Sequence, residues 1–243
     1  MAAAITRAAS RIANRERLIF ALDVPDLAGA KALVTRLADS VVFYKLGLEL
    51  AASRHYFELL DWLLERDKKV FADLKLHDIP ATVAAAVRQL GRSGATFLTV
   101  HGDRAVVEAA AGAKGARLKV LAVTVLTSIA PADLAEMGVS LGIEELVLQR
   151  ARRAVAAGCD GVIASGLEAA ALRAALGPEP LVVTPGIRPA DGPRSDDQRR
   201  VVTPTIAFRS GADHIVVGRP IRDAADPYVA ATAIQEEIAA VFG

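Results

Sequence analysis

Lysine and aspartate recur together at the ends of three short apolar runs in this chain. LIFALD (18–23) ends in Asp23, VVFYKLG (41–47) carries Lys45, and VFADLK (70–75) carries Asp73 and Lys75, with Asp78 shortly after. Side chains two apart on a strand share a face. Ala21 therefore goes with Asp23, Phe43 with Lys45, and Phe71 with Asp73 and Lys75, while Ala72 and Leu74 face the other way. Taken singly, a strand-end aspartate reads equally well as half of a structural ion pair. Taken together, Lys45, Asp73, Lys75 and Asp78 are costly to gather unless the charges are mutually paired, and apolar side chains alone would fill a core. A lysine held between carboxylates can set positive charge beside a developing negative one and then give up a proton. Carboxylates on either side also oppose a Schiff-base role, which needs a neutral amine.

A second constellation lies toward the C-terminus, in VTPGIRP (183–189) and VVGRP (216–220). Gly218 lets the backbone come close to a ligand, and the Arg219 guanidinium can fork onto a phosphate. A lone Gly-Arg pair is common on surfaces; its place after the last apolar run is what points to phosphate. Between these segments, PADGPRSDDQ (189–198) is polar with Gly and Pro. It reads as a mobile lid or as an ordinary surface loop.

These residues need a frame that brings strand ends together. Five further apolar runs follow the first three: TFLTVHG (96–102), KVLAVTVL (119–126), GVIAS (161–165), LVVTPG (181–186) and HIVVGR (214–219). The intervening segments have helical spacing. Leu27, Ala30, Leu33, Val34 and Leu37 form one apolar face, Phe57, Leu60, Leu63 and Leu64 another, and Val83, Val87 and Leu90 a third that opens at Pro80 and stops at Gly94. The last helix has Asp226 as N-cap and Pro227 at its first position, then Val229, Ala233, Ile234 and Ile238. Strands alternating with helices imply parallel pairing through right-handed crossovers. Eight such units predict an α/β fold, a (β/α)8 TIM barrel forming a single domain over 18–243, preceded by an N-terminal arm over 1–17. A doubly wound open sheet is the competitor, but Asp23-Val24-Pro25-Asp26 stands where its GxGxxG signature belongs. In a barrel the loops after the strands form the active face, and those after strands seven and eight commonly cradle phosphate. Asp23, Lys45, Asp73 and Lys75 would then converge on one mouth.

Composition narrows the function classes. The 243 residues carry 29 Lys plus Arg against 28 Asp plus Glu, a net charge of +1, which gives no basic footprint for nucleic acid. The single cysteine, Cys159, forms no internal disulfide or CxxC metal site and reads as a small buried hydrophobe. No apolar run reaches the roughly 18–20 residues that cross a bilayer. A soluble, cytoplasmic protein is expected. The arm is rich in Ala and Arg with no acid before Glu16, and reads as loosely docked or, faintly, as a transit peptide. His55, His77, His101 and His214 have no metal-ligand spacing, which argues against zinc. His77, His55 and His214 read as structural, His101 as an outer neighbour of the site, and Trp62 as a packing anchor.

DLKLHDIPATV (73–83), with FALDVPD (20–26), YKLGLEL (44–50), TVLTS (124–128), VTPGIRP and IVVGRPI (215–221), resembles the orotidine 5′-monophosphate decarboxylases, in order from Leu18 to Phe242. DxKxxD alone is shared by a wider group of phosphate-binding barrels; the extended string with every other motif in register is specific. The resemblance implies decarboxylation of orotidine 5′-phosphate to UMP and CO2, the last step of de novo UMP synthesis, without metal or other cofactor. It implies a homodimer with shared active sites. Lys75 would be the proton donor, Asp73 and Lys45 would extend the charged array, and Asp78 would enter from the partner subunit. Asp23 and Lys45 match positions at the ribose hydroxyls, Thr127 the pyrimidine contact, and Thr82 a ribose contact across the interface. Arg188, Gln198, Gly218 and Arg219 match the closing loop and phosphate grip. Two alternatives stand beside this: a Mg2+-dependent sugar-phosphate decarboxylase or synthase of the same superfamily, and a non-catalytic nucleotide-binding barrel.

Overall fold

Buried on both faces, each of the eight apolar runs forms a parallel strand: β1 (Leu18–Ala21), β2 (Phe43–Leu46), β3 (Lys69–Leu76), β4 (Phe97–His101), β5 (Lys119–Val123), β6 (Gly161–Ile163), β7 (Leu181–Thr184) and β8 (His214–Val217). The computed structural model describes residues 12–189 and 200–243. Each strand pairs with the next, and β8 returns to β1 from Leu18↔Ile215 to Phe20↔Val217, which closes the barrel and excludes the open sheet. The main helices are α1 (Leu27–Leu37), α2 (Tyr56–Leu64), α3 (Pro80–Arg92), α4 (Arg104–Ala113), α5 (Ile143–Ala156), α6 (Ala169–Leu176), α7 (Pro204–Arg209) and α8 (Pro227–Phe242). Short helical turns at Leu48–Ala51, Pro131–Glu136 and Arg219–Arg222 supplement them. Among the described residues no helix is long and apolar enough to cross a membrane.

Strand alternation sorts the core into two kinds. One set, including Phe20, Tyr44, Leu46, Val70, Leu98 and Val120, packs outward against the helices. The other, including Ile19, Phe43, Phe71, Phe97, Leu121 and Val216, fills the barrel interior. Near the strand starts the interior is an aromatic floor. The Phe97 ring lies 4.9 Å from Phe43, 5.2 Å from His214 and 5.9 Å from Phe71, centroid to centroid. Burial pushes the His214 imidazole down to about 3, and its Nδ1 lies 2.9 Å from the Glu16 carbonyl oxygen, so a neutral ring donates there.

Helix ends follow the local chemistry of their caps. The Asp26 carboxylate accepts from the Gly29 N–H at 2.8 Å to start α1, and Asp226 accepts from the Tyr228 N–H at 3.0 Å to start α8, with Pro227 behind it. α3 opens at Pro80 and buries Val83, Val87 and Leu90; beyond it Gly94 adopts φ 87°, a value glycine tolerates best. Two expected faces are corrected. Phe57 is exposed and α2 buries Tyr56, Leu59, Leu60 and Leu63. Val229 and Ala233 are exposed, and α8 buries Pro227, Ala231, Ile234 and Ile238. Segments this rich in apolar residues offer two adjacent stripes, and the surface they pack on chooses between them.

The expected loose arm over 1–17 is also corrected at its end, residues 1–11 lying outside the described residues. Asn14–Glu16 form a 3-10 turn and the Glu16 carboxylate pairs with Lys69 at 2.6 Å. Arg17 is fully buried, its guanidinium 3.7 Å from the centroid of the Phe242 ring and donating to the Asp213 carbonyl at 3.2 Å. Cation–π stacking and a backbone acceptor stand in for the water this charge loses.

Candidate active site

Toward the C-terminal ends of the strands the inward side chains change from apolar to charged. A pocket of about 430 Å³ opens there. It is lined by Asp23 after β1, Lys45 from β2, Asp73 and Lys75 from β3, Thr127 after β5, Arg188 after β7, and Gly218 and Arg219 after β8. Lys45 Nζ lies 3.0 Å from Asp23 Oδ1 and 3.5 Å from Asp73 Oδ2. Lys75 Nζ donates to both oxygens of Asp73, each at 2.9 Å. The result is an unbroken sequence of acid, base, acid, base across three adjacent strands. Lys45 and Asp73 are buried, while 28% of the Lys75 side chain stays open, so Lys75 is the more open of the two ammoniums at the pocket.

The charges make one another tolerable. Burial alone would raise the Asp73 carboxyl, but the Lys45 and Lys75 ammoniums, the bond from Lys75 and the Thr99 hydroxyl together hold it below the usual carboxylate range. Asp73 is therefore ionised at neutral pH, and its two oxygens fix where the Lys75 ammonium sits.

Backbone irregularity sets that position. β3 and β4 pair at Ala72↔Leu98 and next at Leu76↔Val100, so four steps along β3 match two along β4. Lys75 takes up the excess at φ 48°, a left-handed conformation rare outside glycine. Simple alternation therefore does not hold at Lys75, although its amine still returns to Asp73. Glycine matters at two places. A Cβ on Gly47 would lie 2.9 Å from Asp23 Oδ1 and 3.0 Å from Lys45 Nζ, and one on Gly218 would lie 3.3 Å from the Ala21 Cβ.

Of the residues singled out in the sequence, Asp23, Lys45, Asp73, Lys75, Thr127, Arg188, Gly218 and Arg219 come together at this pocket. Asp78 and Thr82 do not; both are exposed, and Asp78 Oδ1 accepts from the Ile79 N–H at 2.6 Å. Gln198 and the segment 190–198 of the expected lid lie outside the described residues. Arg200, just beyond, pairs with Glu168 and donates to the Leu126 carbonyl at 3.0 Å, which ties it to the loop carrying Thr127.

Sequence reasoning passed over three residues here. Thr99 binds Asp73, Gly47 leaves room for the Asp23–Lys45 pair, and Arg222 lines the pocket and donates to the Asp23 carbonyl at 2.9 Å. The parity of Phe97, Thr99 and His101 was the available signal for the first. The view of four scattered histidines is corrected as well. β3 and β4 are neighbours, so His77 and His101 stack at 4.7 Å between centroids, and His77 Nε2 lies 3.1 Å from Asp103 Oδ2. One ligand atom from each of the three falls within 4.8 Å of the others, and Asp103 also faces Arg150 Nη2 at 3.6 Å. Cys159 is buried as expected, and its thiol is pushed up to about 12 by burial.

Comparison with known proteins adds an independent observation. Residues 16–234 match the family described as "Orotidine 5′-phosphate decarboxylase / HUMPS family". The orotidine 5′-phosphate decarboxylase of Methylococcus capsulatus is 58% identical over 227 residues, covering 93% of each chain. That of Xanthomonas oryzae pv. oryzae is 55% identical over 240 residues, 98% of each. The crystal structure of orotidine 5′-phosphate decarboxylase from Lactobacillus acidophilus superposes with a TM-score of 0.80 at 37% identity, covering 92% of this chain and 99% of that one.

Proposed function

The chain belongs to the orotidine 5′-phosphate decarboxylase / HUMPS family, and from that premise we propose that it converts orotidine 5′-phosphate to UMP and CO2, the last step of de novo pyrimidine nucleotide synthesis, with no metal or organic cofactor. The observation that carries this reading is the Lys45–Asp73–Lys75 row at a pocket whose β7–β8 side bears Arg188 and Arg219. One end of that pocket suits a phosphate and the other a reacting carbon that gains negative charge.

Breaking the bond between C6 and the carboxylate carbon leaves an electron pair in the plane of the pyrimidine, where the ring π system cannot take it up. The barrier is correspondingly high, toward the upper part of the ~8–23 kcal/mol that enzymes remove. Lys75 supplies an ammonium beside C6 as the pair develops, then transfers a proton to C6; CO2 departs and the amine regains its proton from water. Asp73, ionised and bonded to Lys75 through both oxygens, keeps the amine in place, so no reorganisation is needed when charge appears. Asp23 and Lys45 hold the ribose hydroxyls, Thr127 the pyrimidine, and Arg188, Gln198, Gly218 and Arg219 the phosphate. Binding energy collected at the phosphate, remote from C6, serves to order the site.

The decisive assay follows the ultraviolet change on adding orotidine 5′-phosphate in EDTA. Turnover at the same rate with and without chelator is expected. No turnover refutes the proposal, and failure to turn over orotidine 5′-phosphate together with EDTA-sensitive, Mg2+-restored activity on a sugar phosphate favours the other enzyme of the superfamily instead.

The working form is a cytoplasmic homodimer in which each site receives Asp78 and Thr82 of the partner subunit. Asp78 and Thr82 are exposed and outside their own pocket, and Ile79 between them is 66% exposed, an apolar side chain suited to burial against a second copy. Mixing inactive Lys75→Ala and Asp78→Ala proteins should restore activity toward one quarter of wild type, because a randomly mixed population contains hybrid dimers with one intact site. Absence of recovery despite demonstrated subunit exchange would place the whole site within one chain.

A further inference from the structure

We propose that Thr99 is a positioning residue for the reaction, acting through Asp73 and the backbone of Lys75; this rests on the decarboxylase reading above. Thr99 sits on β4 with no exposed surface, facing the barrel interior. Its hydroxyl accepts the Lys75 N–H at 3.0 Å and donates to Asp73 Oδ1 at 2.8 Å. The proton assignment is forced, since a backbone N–H can only donate and an ionised carboxylate can only accept.

These two bonds fall where β3 outruns β4 by two residues. At Asp73–Lys75 the strand has left the regular ladder, and Lys75 stands at φ 48°. A non-glycine residue in that region is strained and persists only where its surroundings over-determine it. The Thr99 side chain supplies the acceptor that a neighbouring strand carbonyl would otherwise give, and the same oxygen clamps the carboxylate to which the Lys75 amine returns. One hydroxyl thus fixes both ends of the excursion that sets Nζ at the pocket. A valine at this position would preserve shape and β-branching but remove donor and acceptor together.

The test compares Thr99→Val, Thr99→Ser and wild type. For Thr99→Val, kcat should fall by about 30- to 100-fold with KM within about threefold, the scale expected when a reacting group is displaced by a fraction of an ångström to one ångström. Loss of the hydroxyl also removes one stabiliser of the Asp73 carboxylate, so the acid limb of the kcat/KM profile should move to higher pH. Thr99→Ser, which keeps the hydroxyl, should stay within about threefold of wild type with its acid limb unmoved. A Val variant with wild-type kcat and acid limb, or a Ser variant as impaired as the Val variant, overturns the proposal. Should the Val protein fail to fold, Thr99→Ala is read by the same assays, since it leaves space instead of a misplaced methyl. Amide hydrogen exchange at Lys75 needs no substrate: it should accelerate in the hydroxyl-less variants and not in Thr99→Ser. An inactive wild type would sink the decarboxylase reading, whereas unchanged Lys75 exchange in the hydroxyl-less variants would sink the role of Thr99.

Discussion

Lys75→Ala is expected to reduce turnover of orotidine 5′-phosphate by at least about 10⁴-fold while binding of UMP changes little. Two effects combine in that number. A positioned proton donor contributes roughly 10²–10⁴-fold, and a preorganised charge facing developing negative charge about 10²–10³-fold more. Both vanish with the amine, and no second ammonium takes its place: Lys45 is buried and held between Asp23 and Asp73. The remaining carboxylates would stand against a growing carbanion, which adds to the loss. UMP carries no C6 carboxylate and needs no proton at that carbon, so its affinity reports only on the ribose, pyrimidine and phosphate contacts. Single-turnover kinetics and calorimetric titration with UMP would measure the two quantities separately. Retained turnover would remove Lys75 as proton donor, and lost UMP binding would mean that the substitution had damaged the pocket itself.

Arg219→Ala should have the next largest effect, a fall in kcat/KM of about 10²–10³-fold. A guanidinium that forks onto a phosphate makes paired charge-assisted hydrogen bonds, worth about 1.5–3 kcal/mol apiece when one partner is an ion. Arg188 remains at the same side of the pocket, so the grip is weakened and not abolished. The loss should appear in KM and, to the extent that phosphate binding orders the site, in kcat as well. Omitting the substrate's phosphate makes a useful control. Arg219→Ala and wild type should process the nucleoside orotidine with similar, low efficiency, because the contact removed by substitution is already missing from the ligand. Unchanged kcat/KM for the phosphorylated substrate would withdraw the assignment.

Much of this frame was legible in the residues. Parallel strands buried on both faces read as nearly continuous apolar runs, and all eight strands stand out that way, along with the caps at Asp226–Pro227 and the stop at Gly94. The inward parity of Asp23, Lys45 and Asp73 likewise followed from alternation. Other features were not readable because they depend on what lies opposite. Phe57 and Val229 sit in helices with surplus apolar residues, and only the packed partner reveals which stripe is buried. Strand alternation gives Lys75 the right direction, although its backbone at φ 48° does not obey that rule. Thr99 looked like any β-branched residue in a buried strand, because its significance comes from Asp73 and Lys75, roughly 25 positions earlier. His77 and His101 read as unrelated for the same reason. Gly47 is intelligible only with the neighbouring pair in view, since the sequence says nothing of the space its missing side chain leaves.

The contact between Arg17 and Phe242 has a practical corollary. It lies under the strand starts, at the opposite pole from the charged pocket, and brings an early and a late part of the polypeptide side by side. A tag, a tether to a solid support or a fused carrier attached near either of these points would hang from the underside of the molecule. Immobilised in that way, the protein would keep its entrance turned toward the surrounding solution.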